Sequence, residues 1–450
     1  MAVAGSAPAY SIAASTAALV AAVGVAGPAS LLYCAVPMLG IAWAFSKLNQ
    51  QEANAGASYA WVSRILHPAL GFMAGWALVV STTLFMVAAS LPAGAMTLGL
   101  FSGALTHNTT LVIAVGAVWF TAMVVLSVLG VRLSAKAQWI MTGTEVTILL
   151  VSAGLVLAHA AARPYAAFSW SWLGLAHFNG LAGFAAGALV ATFYFWGWDV
   201  SSNLAEETKN GRRNAGLGGM IGLLVVFALF EIFTIAATMS LPPGRVAANA
   251  ANVLTLLGQQ AWPGAGGRLL TLAVMLSTIG TLQTSLIQVT RTLFAMARDR
   301  TLPAFLGRLH QQRKTPWPAT IVVGAIALCL FAVSGFVGSV GAILADAINA
   351  IGLEIAVYYG LAGITVAVAF RAVLLGSARN FVLLGLWPLA GTAFLFWVFA
   401  ESIPAHRGIA DACGLGALGL GLIPLAVYWA RGSPFFRHPR KTRDYEGTLL

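Results

Sequence analysis

Apolar windows of roughly 20 residues, each long enough to cross a bilayer as one helix, recur twelve times along the chain. They fall at about 2–24, 28–49, 68–98, 110–129, 136–159, 180–203, 217–240, 266–296, 318–338, 340–370, 378–400 and 409–430. The third, eighth and tenth exceed one clean crossing, which predicts tilt or interfacial extensions. The gaps between windows are short and polar. Ala55–Leu66 reads as a short interfacial helix, and the Trp- and Phe-rich loop Ala160–Asn179 suits the outer membrane interface. The pattern predicts an all-α polytopic membrane protein of twelve transmembrane helices. Residues 1–430 form a single transmembrane domain, and 431–450 a basic cytosolic tail that touches anionic headgroups.

Two windows are broken at their cores. The sixth runs Phe195-Trp196-Gly197-Trp198-Asp199, placing a glycine and a carboxylate at membrane depth before the polar stretch that ends in Lys209, Arg212 and Arg213. The first starts Gly5-Ser6-Ala7-Pro8. Lipid offers no partner to backbone groups freed by Gly or Pro, so such breaks are tolerated where they line a protein cavity. A half-helix N-terminus presents N–H donors and a positive dipole end to an anion. Exposed carbonyls accept from an ammonium. Together the breaks suit a zwitterion such as an amino acid. They lie five windows apart, the spacing of an inverted repeat over about 1–159 and 180–370, with extra helices over 378–430. The competing reading is that Gly and Pro are simply frequent in membrane helices, and for the first window alone it weighs equally.

Composition agrees with the pattern. Hydrophobic residues make up 59% and charged residues 8%, against about 25% charged in soluble domains. The net charge of +11 points to orientation, not to nucleic acid, because the basic residues cluster in the gaps. Twenty fall on one side, among them Lys47, Arg132, Arg291, Arg298 and Arg379, and four on the other: Arg163, Arg245, Arg268 and Arg407. The positive-inside rule puts the first side in the cytoplasm, and an even span count puts both termini there in the cell membrane. Cys34, Cys329 and Cys413 sit inside apolar runs as packing residues. No His has ligand spacing with Cys or another His, and no nucleophile–base–acid motif appears, so neither a metal, a cofactor nor an enzymatic activity is expected.

Four stretches in order carry a resemblance: Gly5-Ser6-Ala7; Glu52 to Tyr59, EANAGASY; Phe195 to Asp199 followed by Glu206 to Arg213, EETKNGRR; and Arg291 to Pro303, RTLFAMARDRTLP. Together they resemble the amino acid–polyamine–organocation (APC) superfamily of transporters. The last two are the specific ones. The resemblance implies a five-plus-five inverted repeat with two extra helices, and a substrate seated between broken helices 1 and 6. Gly5, Ser6 and Ala7 would meet a substrate carboxylate, and the carbonyls of Phe195 and Trp196, beside Gly197, its amine. Phe193 falls where an aromatic gate residue is often found, and Asp199 where relatives carry an acid on the cytosolic side of the break. Ala7 replaces the family's second Gly, and Gly211 stands where Pro is usual. Only four residues precede Gly5, so helix 1 reads as N-terminally truncated, a chain whose natural start lies upstream of Met1.

The buried acids are weighed singly. Glu145, in register with a lysine of some relatives, is balanced between a proton-coupling residue and a structural partner of a nearby hydroxyl. Glu354, near Gly352 and Tyr358, lines the site in one reading, and Asp346 at the start of the same window poses the same question. Glu231 reads as a satisfied structural acid. Arg291 either pairs with a carboxylate or snorkels to the cytosol. Thr278, Thr281 and Gln283 line the cavity or bond between helices. The expected function is secondary transport of an amino acid or related amine, coupled to protons through Asp199, Glu145 or Glu354. The alternatives are an exchanger without ion coupling and a transport-inactive sensor. The expected partners are the small substrate, protons and the lipid bilayer.

Overall fold

The structure is a computed structural model that describes residues 1–249, 252–334, 340–405 and 409–437, with side chains placed for these except 340–349, 402–405 and 409–413. Asp346, Arg407, Cys413 and most of the tail therefore lie outside the described side chains. Every regular element among the described residues is a helix. In lipid a helix satisfies its own backbone donors and acceptors, so apolar windows of this length have no other open option.

The elements run α1 (Ala2–Ser6), α2 (Pro8–Val23), α3 (Gly27–Gln51), α4 (Ser58–Ile65), α5 (Pro68–Gly99), α6 (Thr109–Leu129), α7 (Val131–Ala162), α8 (Gly180–Tyr194), α9 (Val200–Asn203) and α10 (Gly211–Ser240). They continue as α11 (Pro243–Ala248), α12 (Val253–Ala261), α13 (Gly266–Arg298), α14 (Trp317–Ser334), α15 (Val340–Ala369), α16 (Arg371–Leu374), α17 (Ala378–Asn380), α18 (Trp387–Ala405), α19 (Ile409–Leu420) and α20 (Leu422–Ala430). Among the described residues nine stretches are long and apolar enough to cross a membrane, and Gly180–Tyr194 and Gly414–Ala430 are shorter apolar helices. The chain is a multi-pass membrane protein.

The windows at 2–24 and 28–49 form one helical stretch, Ala2–Gln51, interrupted at Ala7 and turned at Gly24, whose φ of 56° a side chain would resist. The window at 180–203 is divided: α8 stops at Tyr194 and α9 restarts at Val200. The predicted interfacial helix is α4, held to the following helix where Gly71 packs against Ser63.

Burial orders the bundle. In α13, 83% of the best apolar window is buried, against 28% in α6 and in α7, so α13 is interior and the other two are peripheral. Accordingly α6 and α7 turn Val118, Val125, Ile140 and Leu150 outward, where lipid would meet them. Packed on α13 are α5, α7, α2 and α6; α10 lies along α3, and α15 contacts α5, α18, α3 and α8. Both broken helices reach this interior.

Candidate functional site

The break in the first stretch is one residue, Ala7, in the left-handed region at φ 45°, ψ 64°. Pro8 follows at the first position of α2, where its missing N–H costs nothing and its fixed φ starts the helix. The break in the second is longer: five residues, Phe195–Asp199, separate α8 from α9, with Gly197 at φ 91°. The two breaks cross in backbone contact. A Cβ on Gly5 would overlap the Gly197 carbonyl oxygen and come within 2.9 Å of Val200 Cγ1. One on Gly197 would overlap the Gly5 oxygen and sit 2.7 Å from the Gly5 carbonyl carbon. Glycine at both positions is therefore a steric requirement of the crossing. Thr281 Oγ1 of α13 donates to the Gly5 oxygen at 3.1 Å and ties the crossing to the interior helix.

The donors at the start of α2 are already engaged. Ala7 N–H returns to the oxygens of Val3 (3.2 Å) and Ala4 (3.3 Å). Ala9 N–H donates to Glu145 Oε1 of α7 at 3.0 Å, and Tyr10 N–H to Ser277 Oγ of α13 at 3.1 Å. Glu145, 1% exposed, thus places a carboxylate against the positive end of a half-helix, the location that favours one most. Gly5, Ser6 and Ala7 lie at the crossing, but the Gly5 and Ala7 amides point back into α1. Of these three residues, Ser6 carries a buried hydroxyl that has no partner among the described residues.

At the other break, Phe195 and Trp196 donate their N–H groups to Ala191 and Phe193, and no backbone donor among the described residues reaches the Phe195 or Trp196 carbonyl. Around them the rings of Tyr10, Phe85, Phe193 and Trp196 form a cluster. Phe85 stands edge-on to Tyr10 (5.7 Å) and Trp196 (5.1 Å), and Phe193 tilts against Phe85 (6.3 Å) and Trp196 (6.4 Å). Trp196 Nε1 donates to the Tyr358 hydroxyl at 2.5 Å, which brings α15 to the break.

Asp199 is fully buried and both its oxygens are occupied: Tyr359 donates to Oδ1 at 2.8 Å and Gln288 Nε2 to Oδ2 at 2.7 Å. Glu354 is equally buried, yet neither carboxylate oxygen has a partner among the described residues. It lies one helical turn before Tyr358, on the same face of α15. Glu231 corrects an expectation: it was read as satisfied, but both its oxygens lack a partner among the described residues. Thr278 bonds back to Val274 within α13, and Gln283 accepts from Gln138 at 2.9 Å; of the three polar residues noted in that window, only Thr281 meets a break.

Tyr10, Phe85, Ser277, Gln288 and Tyr359 escape a reading of the sequence. Tyr10 and Phe85 look like ordinary apolar-window residues until folding sets their rings together. The available signal was mid-window polarity at Ser277 and Gln288.

Beneath the breaks, the polar stretch after α9 is tied down. Arg291 pairs with Glu207 through Nε (2.8 Å) and Nη2 (3.3 Å), so it pairs and does not snorkel. Arg298 grips Glu206 with two bonds of 3.1 Å, while Ala55 N–H donates to Glu206 at 2.9 Å and Asn203 to the Ala55 oxygen at 2.8 Å. Glu52 pairs with Arg64. Three of the four sequence stretches singled out above thus converge in one polar network. Among the described residues no group of three or more His, Cys, Asp or Glu is placed to hold a metal.

Residues 1–405 match the family model described as amino acid permease. An uncharacterized transporter of Mycobacterium tuberculosis is 28% identical over 305 residues, 66% of this chain and 63% of the relative, so the match spans under two thirds of that protein. A branched-chain amino acid permease of Bacillus subtilis is 26% identical over 322 residues, covering 68% of this chain and 67% of its own. A low-affinity putrescine importer of Escherichia coli is 26% identical over 323 residues, covering 67% and 66%.

Proposed function

The chain belongs to the amino acid permease family, within the APC superfamily, and from that premise we propose that it is a secondary transporter of amino acids or related amines. It works by alternating access, coupled to protons, in the cytoplasmic membrane with both termini inside. The architecture that goes with this function is twelve helices, repeats over about 1–159 and 180–370, and two added helices over 378–430. One repeat places its break at Ala7 and the other at Gly197, the arrangement in which a bundle rocks against a scaffold around a central site.

The observation that carries this reading is the backbone contact of Gly5 with Gly197 in the interior of the bundle. Two non-helical segments in lipid-buried protein are costly unless they serve a site, and here they meet. The substrate-facing residues are Gly5, Ser6, Ala7, Phe193, Phe195, Trp196 and Gly197. Asp199, Glu145 and Glu354 are the coupling carboxylates: Asp199 closes one break, Glu145 accepts from the half-helix after the other, and Glu354 lies one turn from the Tyr358 that meets Trp196. Parting of the Phe85–Phe193–Trp196 rings opens one side of the site, and release of Arg291 from Glu207 and Arg298 from Glu206 opens the cytosolic side.

The test is uptake into proteoliposomes with an imposed pH gradient and, separately, with substrate preloaded inside. Accumulation driven by the pH gradient supports coupling. Exchange that ignores the gradient supports an exchanger, and no flux under either condition leaves a sensor. With coupling present, Asp199→Asn shifts the pH profile of uptake more than its KM, and an unchanged profile removes Asp199 from that role.

A further inference from the structure

We propose that the substrate is an organic amine without an α-carboxylate, seated between Glu354 and the rings of Tyr10, Phe85, Phe193 and Trp196. The proposal rests on the transport reading and narrows it.

A carboxylate brought into a water-poor site needs donors or a cation to replace its hydration. At a broken helix the donors on offer are the N–H groups of the first turn. In α2 none is free. Ala7 is bonded to Val3 and Ala4, Pro8 has no N–H, Ala9 is bonded to Glu145 and Tyr10 to Ser277. Glu145 moreover supplies the negative charge that the half-helix dipole would otherwise offer to a ligand. Cations are equally committed. The buried ones among the described residues are Lys47, which lies 4.7 Å over the Trp43 ring, and Arg291, which Glu207 holds. Among the side-chain donors left unpartnered, the hydroxyls Ser6 Oγ and Tyr10 Oη accept as readily as they donate and so serve an ammonium as well, while Trp198 Nε1 belongs to a ring packed on Phe45 and Tyr359, outside the cluster, and Gln283 Nε2 lies beside Gln138 of α7.

For a cation the same interior is prepared. Glu354 is completely buried, and both its oxygens lack a partner among the described residues. A buried charge without a partner is strongly unfavourable, and an incoming ammonium supplies one. One turn along α15, Tyr358 receives Trp196 Nε1, so the Glu354 face of that helix adjoins the aromatic cluster. Aromatic faces attract a desolvated cation. The unbonded carbonyls of Phe195 and Trp196 add acceptors to the same side. What this interior offers an α-amino acid is a carboxylate, carbonyls and aromatic faces for its ammonium, and no free first-turn N–H of α2 for its carboxylate.

Matched pairs decide the matter, because each amine differs from its amino acid by the carboxylate alone. The protein in proteoliposomes is offered putrescine against ornithine, 3-methylbutylamine against leucine, and phenethylamine against phenylalanine. The amine of every transported pair is expected to exceed its amino acid in kcat/KM by about tenfold to about a hundredfold, the equivalent of one lost charged hydrogen bond. An amino acid carried as well as its amine overturns the inference while leaving transport standing. No flux of either member in any pair removes the transport reading itself. Two variants with unchanged thermal melting locate the cause. Glu354→Gln should lower amine uptake about tenfold or more, and wild-type uptake overturns the role of Glu354. Glu145→Ala frees the Ala9 N–H and should shrink the preference for the amine, and an undiminished preference overturns the role of the engaged helix terminus.

Discussion

Alanine at Gly197 and at Gly5 separates two demands that the crossing of the breaks makes on the chain. At Gly197 a methyl group meets both. The φ of 91° lies where L-residues are strained, a cost of about 1–3 kcal/mol. The added Cβ would also overlap the Gly5 oxygen and stand 2.7 Å from the Gly5 carbonyl carbon, backbone that cannot swing aside like a side chain, which adds about 1–3 kcal/mol. At Gly5, inside α1, the backbone is helical and only the overlap remains, against the Gly197 carbonyl and Val200. Gly197→Ala should therefore lower the apparent melting temperature more than Gly5→Ala. Both should reduce transport well beyond their effect on stability, because each pushes the half-helices apart where the substrate would sit. The assay is thermal melting in detergent alongside initial uptake rates in liposomes, normalised to inserted protein. Wild-type uptake by Gly5→Ala would refute the steric argument. Equal melting of the two variants would refute the strain at Gly197.

Ala7 occupies a left-handed conformation that glycine adopts freely, so Ala7→Gly should leave melting unchanged or raise stability by up to about 1 kcal/mol. A clear drop in melting temperature would contradict this. The Arg291–Glu207 pair, with side chains 3% and 31% exposed, should show a coupling of about 1–3 kcal/mol in a double-mutant cycle of Arg291→Gln and Glu207→Gln followed by denaturation. Additive effects would mean that the pair is not formed. Half-buried Glu206 would be raised by burial alone, but bonding from Arg298 and Ala55 N–H outweighs that and keeps it below its ordinary 4.5. A carboxylate so lowered contributes stability at neutral pH that is lost as pH falls through the lowered value. Glu206→Gln should thus melt below wild type by a constant margin from pH 8 to about 5, closing only under more acid conditions. A margin that vanishes between pH 7 and 5 would contradict the ion pair.

Much of this protein was legible without coordinates because the bilayer leaves a chain few options. A run of about 20 apolar residues must satisfy its own backbone, so its length and composition already dictate a helix. The two breaks were legible for the same reason. Gly197 and Pro8 are backbone statements, and their consequences at membrane depth do not depend on neighbours. The polar network around Glu206 and Arg298 was partly legible, since charges beside apolar windows have to be paired or solvated.

What no window could reveal is which group answers which. Glu145 in α7 and Ala9 in α2 are 136 residues apart, yet the carboxylate accepts from the first turn of that half-helix. Glu354 and Glu231 are each one acid in an apolar run, set apart in sequence only by the Gly352 and Tyr358 that flank the former. Folding brings Trp196 to Tyr358, one turn from Glu354, while Glu231, far along α10, has no partner among the described residues. Local sequence specifies where a helix must break, because that is a property of adjacent residues. Whether the break is open to a carboxylate, or already filled by one, depends on side chains delivered from other helices, and only tertiary packing brings them there.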